Sequence, residues 1–235
     1  MASSEGSVDG FIIAHSQLVG AQSDQEDTIL QFNAECIAIA DGVSAMPHGK
    51  VASTFVSDTA VWCYKHVRQR PYYWEDKSKL LKRIFKTSNL ALWQKRKEAE
   101  FAGGLASTLS VIILGIKKFW IGTVGDSRSF LIREGLIEEL IPPEDQSSIR
   151  IPMALGFERS GIVPRITSDV LLSGDVLILA TDGVSDVITE EDLRLAYDVI
   201  GQTQESCMQA VLHILTQAND HGSRDNMSVC VIRKL

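Results

Sequence analysis

Between residues 107 and 140 the sequence passes through four short apolar or β-branched stretches, at 107–114, 119–124, 129–133 and 136–140. Only Gly or charged turns part them, so no gap holds a crossover helix and the stretch points to antiparallel sheets. Further strands read at 11–15, in a stretch ending at 37–40, at 170–172, at 176–180 and at 227–233. Apolar positions at helical spacing predict helices over 49–69 and 75–99, parted by Pro71, and over 189–200 and 204–219. Thr189 followed by Glu190, Glu191 and Asp192 reads as an N-cap with acids in the first turn. Strands follow strands more often than they alternate with helices. The fold class is therefore α+β with antiparallel sheets.

The 235 residues suffice for one large domain, since a chain of this mass buries about 72% of its unfolded surface. We read residues 1–10 as a polar N-terminal tail, 8–235 as a single domain, and the proline-bearing stretch 141–160 as an irregular loop. The net charge of −7 and pI near 5.3 argue against sequence-independent nucleic-acid binding and against a polybasic membrane anchor. The basic stretch Lys77–Lys97 reads as the solvated face of a helix. The four cysteines form no C-x-x-C pair, and no signal peptide or bilayer-length apolar run is present. The expectation is a reduced, cytoplasmic, monomeric protein.

Several catalytic motifs are excluded. The phosphate loop fails at Ser44 and Val51, the esterase elbow fails at both Gly-Val-Ser sites, no H-E-x-x-H occurs, and no Cys has an Arg six positions on. What remains is a repeated local pattern. Asp41 and Asp182 end apolar runs and precede Gly; Asp126 follows 120–125; Asp225 just precedes 227–232; Asp27 lies in the polar loop after the first strand. One Asp-Gly at a strand end is ordinarily a turn. Five carboxylates at strand ends, with few His or thiols, are a donor set for hard cations such as Mg²⁺ or Mn²⁺.

The segments DGVSAMPHGKVAS, GGLASTLSVIIL, IGTVGDSRSFLIREG, LILATDGVSD and SRDNMSVCVI resemble, in order, the motifs of the metal-dependent type 2C serine/threonine protein phosphatases. The resemblance runs from about residue 8 to 235 and looks like the compact bacterial type. It implies two packed antiparallel β-sheets flanked by helices, in α-β-β-α layers. It implies two Mg²⁺ or Mn²⁺ ions, with Asp41 bridging them, Gly42 offering its carbonyl, and Asp182 and Asp225 as further ligands. Asp27 matches an acid that holds metal-bound water, Glu26 is a second candidate there, and Asp126 matches a ligand used with Asp182 for a third ion.

The implied reaction is hydrolysis of phosphoserine and phosphothreonine in proteins by metal-activated water, opposing a Ser/Thr kinase, without a protein nucleophile. Gln22 stands where the family usually places an Arg that binds the substrate phosphate, which predicts weaker phosphate binding. Ser44 and Ala45 replace two of the family's turn glycines, and His48 is the nearby candidate for protonating the leaving group. Two competing readings are a catalytically weak homologue that binds phosphoproteins or another partner, and a hydrolase of small phosphorylated metabolites.

Overall fold

The computed structural model describes residues 10–142 and 154–235. The polar tail expected at 1–10 and most of the loop expected at 141–160 lie outside the described residues. The first part of the chain forms β1 (Phe11–Leu18), β2 (Thr28–Phe32), β3 (Cys36–Ala40), α1 (Gly49–Val67), the single turn α2 (Pro71–Trp74) and α3 (Lys77–Lys95). Strands β4 (Leu109–Leu114), β5 (Lys118–Val124), β6 (Arg128–Arg133), β7 (Leu136–Glu139), β8 (Arg165–Val170) and β9 (Val176–Ala180) follow. The chain closes with α4 (Asp182–Ser185), α5 (Glu190–Val199), α6 (Gln204–Asp220) and β10 (Met227–Lys234).

Two five-stranded sheets result, in the orders β1-β10-β9-β6-β7 and β2-β3-β4-β5-β8, and every pairing is antiparallel. Alternation along each central strand divides its side chains between two cores. In β3, Ile37 and Ile39 join Ile112, Ile121, Leu177, Leu179 and Ile232 between the sheets. Cys36, Ala38 and Ala40 point the other way, against Val56, Ala60, Leu81 and Phe85 of α1 and α3. Strands β9 and β10 do the same in the first sheet, where Ile178, Val229 and Val231 meet Leu193, Val211 and Ile214 of α5 and α6. A strand covered on both faces has no polar face to keep, which is why these strands read as unbroken apolar runs. The layers are α-β-β-α.

Three elements differ from the sequence reading. The strand ending at 37–40 is the second arm of a hairpin: Thr28–Phe32 forms a separate strand, and the chain reverses at Asn33, whose φ is 49°. Asn tolerates that left-handed backbone better than most residues. The strand expected at 170–172 lies earlier, at Arg165–Val170. Among the described residues it pairs only with β5, at the edge of its sheet, and its polar sequence RITSDV leaves no apolar run to read. The segment after β9 forms the one-turn helix α4.

Candidate active site

The strand registers bring the aspartates together. Thr28 pairs with Ala40, so Asp27 and Asp41 leave the same end of one hairpin. The Thr108 hydroxyl accepts from the Asp41 N–H at 3.0 Å, and the Thr108 N–H donates to the Asp41 carbonyl at 2.8 Å. In the other sheet Ala180 pairs with Val229, which sets Asp182 and Asp225 at a common end. Asp27 joins the two sheets. It is fully buried, and its Oδ2 accepts from the Thr181 hydroxyl at 2.9 Å and the Ser228 hydroxyl at 2.6 Å. Its Oδ1 is buried without a hydrogen-bond partner.

Close backbone contact fixes these strand ends. A Cβ on Gly42 would lie 2.2 Å from the Gly49 carbonyl at the start of α1, and a Cβ on Gly183 would lie 2.1 Å from the Asn226 carbonyl beside Asp225. Glycine is required at both places by space, with no strain in φ. Asn226 ties in the polar loop, donating to the carbonyls of Val19 at 2.8 Å and Asp24 at 2.9 Å and accepting from the Glu26 N–H at 2.7 Å.

Electrostatically the cluster is one-sided. Burial, then the charges of Asp27, Asp182 and Asp225, drive the Asp41 carboxyl far above the ordinary carboxylate range. Asp27 is raised by burial despite its hydroxyl donors, and the charge of Asp225 adds to this. Burial, then Asp126 and Asp225, push Asp182 up to about 7. Asp126 is raised by burial and by Asp186. Among the described residues no three His, Cys, Asp or Glu side chains stand close enough to hold an ion as they are; carboxylates at ligand spacing repel. The donor set is nonetheless all oxygen, Asp27, Asp41, Asp182 and Asp225 form no ion pair among the described residues although the Lys50 ammonium donates to the Asp27 carbonyl at 2.8 Å, and Asp27 Oδ1 is an orphaned buried acceptor. Such a set fits hard divalent cations.

A sequence model described as Protein phosphatase 2C matches residues 21–221 of this chain. The chain belongs to the protein phosphatase 2C family. It is by that membership an enzyme of the serine/threonine protein phosphatase class. It is similar to the serine/threonine phosphatase stp of Listeria welshimeri, 21% identical over 245 residues that cover 96% of this chain and 92% of the relative. The Mycobacterium tuberculosis serine/threonine phosphatase PstP/Ppp shares its fold, with a TM-score of 0.77 at 21% identity over 96% of this chain and 99% of that one. A structure of the PstP catalytic domain in complex with two manganese ions matches with a TM-score of 0.75, 20% identity and 95% and 98% coverage.

Within this phosphatase the other candidates fall as follows. Gln22 donates from Nε2 to Asp225 Oδ1 at 3.3 Å. The Glu26 carboxylate lies against the first backbone groups of α1, at Gly49 and Lys50, where an acid suits the helix dipole. Burial, then Asp225, raises its carboxyl. His48 is the N-cap residue of α1, and its ring packs edge-on against Phe101 at 5.3 Å. A cleft of about 300 Å³ opens over Asp182 and Asp225, and Gln22, Asp186 and Arg224 also line it. The sequence reading passed over Asp186, Arg224 and the two hydroxyls that hold Asp27. Arg224 was visible as the Arg of SRDN, immediately before Asp225. Thr181 and Ser228 carried no signal, because nothing in a single sequence pairs them with residue 27.

Proposed function

We propose that this phosphatase hydrolyses phosphoserine and phosphothreonine in proteins, with Asp41, Asp182, Asp225 and the Gly42 carbonyl holding two Mg²⁺ or Mn²⁺ ions. The observation that carries the reading is the convergence of acids from four strand ends, none in an ion pair among the described residues, at the junction of two sheets. The two manganese ions of the related PstP catalytic domain support it. Bound there, the cations lower the pKa of water and offset negative charge on phosphoryl oxygens. The chain's own residues do the rest. Asp27, held by Thr181 and Ser228, aims a fixed acceptor at the Asp41 side of the site. Arg224, exposed on the cleft rim, supplies the cation for substrate phosphate that Gln22 does not, and the Gln22 amide donates a neutral hydrogen bond beside it. Asp126 extends the acidic set from Asp182 and with it is the candidate pair for a third ion, while Asp186 beside them is held by Arg128 at 3.4 Å.

The substrate is a phosphorylated protein made by an opposing Ser/Thr kinase. Four buried free thiols support a reducing, cytoplasmic setting. The test is hydrolysis of an aryl phosphate and of a phosphothreonine peptide. Activity should need Mn²⁺ or Mg²⁺, vanish with EDTA, and fall at least about a thousandfold in Asp182→Asn. Turnover that survives EDTA, or is absent with metal, would sink the reading; turnover of small metabolites but not of phosphopeptides would move the substrate class.

A further inference from the structure

Residues 65–97 hold 11 of the chain's 23 Lys and Arg but only two of its 30 Asp and Glu, so this stretch carries +9 while the remainder carries −16. Part of that charge forms one line. Lys79, Lys82, Arg83 and Lys86 follow helical spacing along α3 and are all exposed. Lys79 meets Asp76 at 3.6 Å, while Lys82, Arg83 and Lys86 form no ion pair among the described residues. The line continues through Trp93, which has the Lys97 ammonium 3.3 Å and the Arg159 guanidinium 5.7 Å from its ring centre. At the other end Tyr72 and Trp74, 60% and 67% exposed, sit under Lys79 at 4.5 Å and Lys77 at 4.7 Å. At 1.5 Å per residue the stripe from Lys79 to Lys97 is about 27 Å long.

The C-terminal end of α3 is tied through the buried interior to the strand end that carries Asp41. Arg96 at its end donates to the carbonyls of Gly156 at 2.6 Å and Phe157 at 3.0 Å. Leu155, just before them, donates to the Ser107 carbonyl at 2.8 Å, and the Ser107 hydroxyl donates to the Asp41 carbonyl at 2.8 Å. A phosphoprotein chain is long enough to lay an acidic segment on the exposed cations of α3 while presenting a phosphorylated residue elsewhere along it.

We propose that the outer face of α3 is a docking surface for an acidic segment of the phosphoprotein substrate; this rests on the phosphatase reading above. Charge complementarity of this kind speeds encounter and selects partners. A nucleic acid is a poorer occupant, because Tyr72, Trp74 and Trp93 already have cations on their rings and offer less for bases to stack on. A membrane is poorer too, because the middle of the stripe exposes cations without an apolar row to insert.

Two phosphothreonine peptides test this, one extended by eight Glu and one by eight Gln, eight extended residues matching about 27 Å. The intact phosphatase should show about tenfold higher kcat/KM for the Glu peptide, mostly through KM. The triple variant Lys82→Glu/Arg83→Glu/Lys86→Glu should erase that preference and leave p-nitrophenyl phosphate hydrolysis unchanged; if it does not fold, the Gln set at the same positions replaces it. Equal rates on the two peptides in the unaltered protein, or a preference that persists in a folded variant, would overturn the proposal. Calorimetric titration with the unphosphorylated Glu peptide reads the surface without catalysis. Stripe-dependent binding with no hydrolysis would support the surface and reject only the phosphatase reading. Tighter binding of poly(U) or of phosphatidylserine vesicles than of the Glu peptide would overturn the assignment to a protein segment.

Discussion

A carboxylate does different work here according to what surrounds it. Asp27 is fully buried and holds two hydroxyl donors, so it is a structural tie between sheets as well as part of the acidic site. Among the described residues Asp182 has no such donors beyond its own turn, where the Gly183 N–H donates to Oδ1 at 2.7 Å, and burial with the charges of Asp126, Asp225 and Asp27 raises its pKa to about 7. A carboxyl raised above its unfolded value penalises the folded state once pH exceeds the unfolded value near 3.8, and the penalty is complete above the folded value. Asp182→Asn should therefore raise Tm of the metal-free protein at pH 8 by roughly 2–4 °C and leave it unchanged near pH 4. Differential scanning fluorimetry in EDTA checks this; a lower Tm for the variant at pH 8 would contradict it. Arg224→Ala should raise KM for an aryl phosphate about tenfold with little change in kcat, since one charge-assisted contact is lost. Gln22→Arg should lower KM, and steady-state kinetics that show no change in either variant would remove both residues from phosphate binding.

The elements most easily read from the sequence were those whose own period carries the signal. Helices α1, α5 and α6 lie within a few residues of their expected bounds, because their apolar faces repeat at helical spacing. The N-cap expected at Thr189 is present as a capping box with Asp192, whose Oδ2 accepts from the Thr189 N–H at 2.9 Å while the Asp192 N–H donates to the Thr189 hydroxyl at 3.2 Å. Thr189→Ala should cost about 1 kcal/mol in urea unfolding and leave KM unchanged, because α5 lies on the outer face of its sheet. A shift in KM would instead tie α5 to the site. Gly183→Ala belongs to the same scale. Its Cβ would meet the Asn226 carbonyl, so the start of β10 must move, and both stability and kcat should fall; an unchanged kcat would show that the strand end yields without disturbing Asp225. Strand β8 was misplaced because an edge strand with one partner needs no apolar alternation. The turn at Asn33 was missed although Asn-Ala-Glu between two apolar runs was a usable signal.

At the scale of the molecule, two sheets from separate parts of the chain must pack before the acids meet, so cation binding and folding are linked. Mn²⁺ at a hundredfold excess over its Kd should raise Tm by roughly 5–10 °C, and Asp41→Asn should lose most of that rise. No shift in the unaltered protein would mean that the acidic edge is not a cation site. The charge is also distributed with a sense that the net −7 conceals, the basic surface of α3 standing apart from the acidic strand ends. Sequence alone determined the antiparallel α+β class, the family resemblance and the choice of aspartates as candidates, because period, turn residues and local motifs are properties of neighbouring residues. Only the tertiary structure decided that Asp27 is held by Thr181 and Ser228, and that Arg224 shares a cleft with Asp182. Those contacts join residues that lie far apart along the chain, and they exist only because burying both faces of two sheets brings their strand ends to one edge.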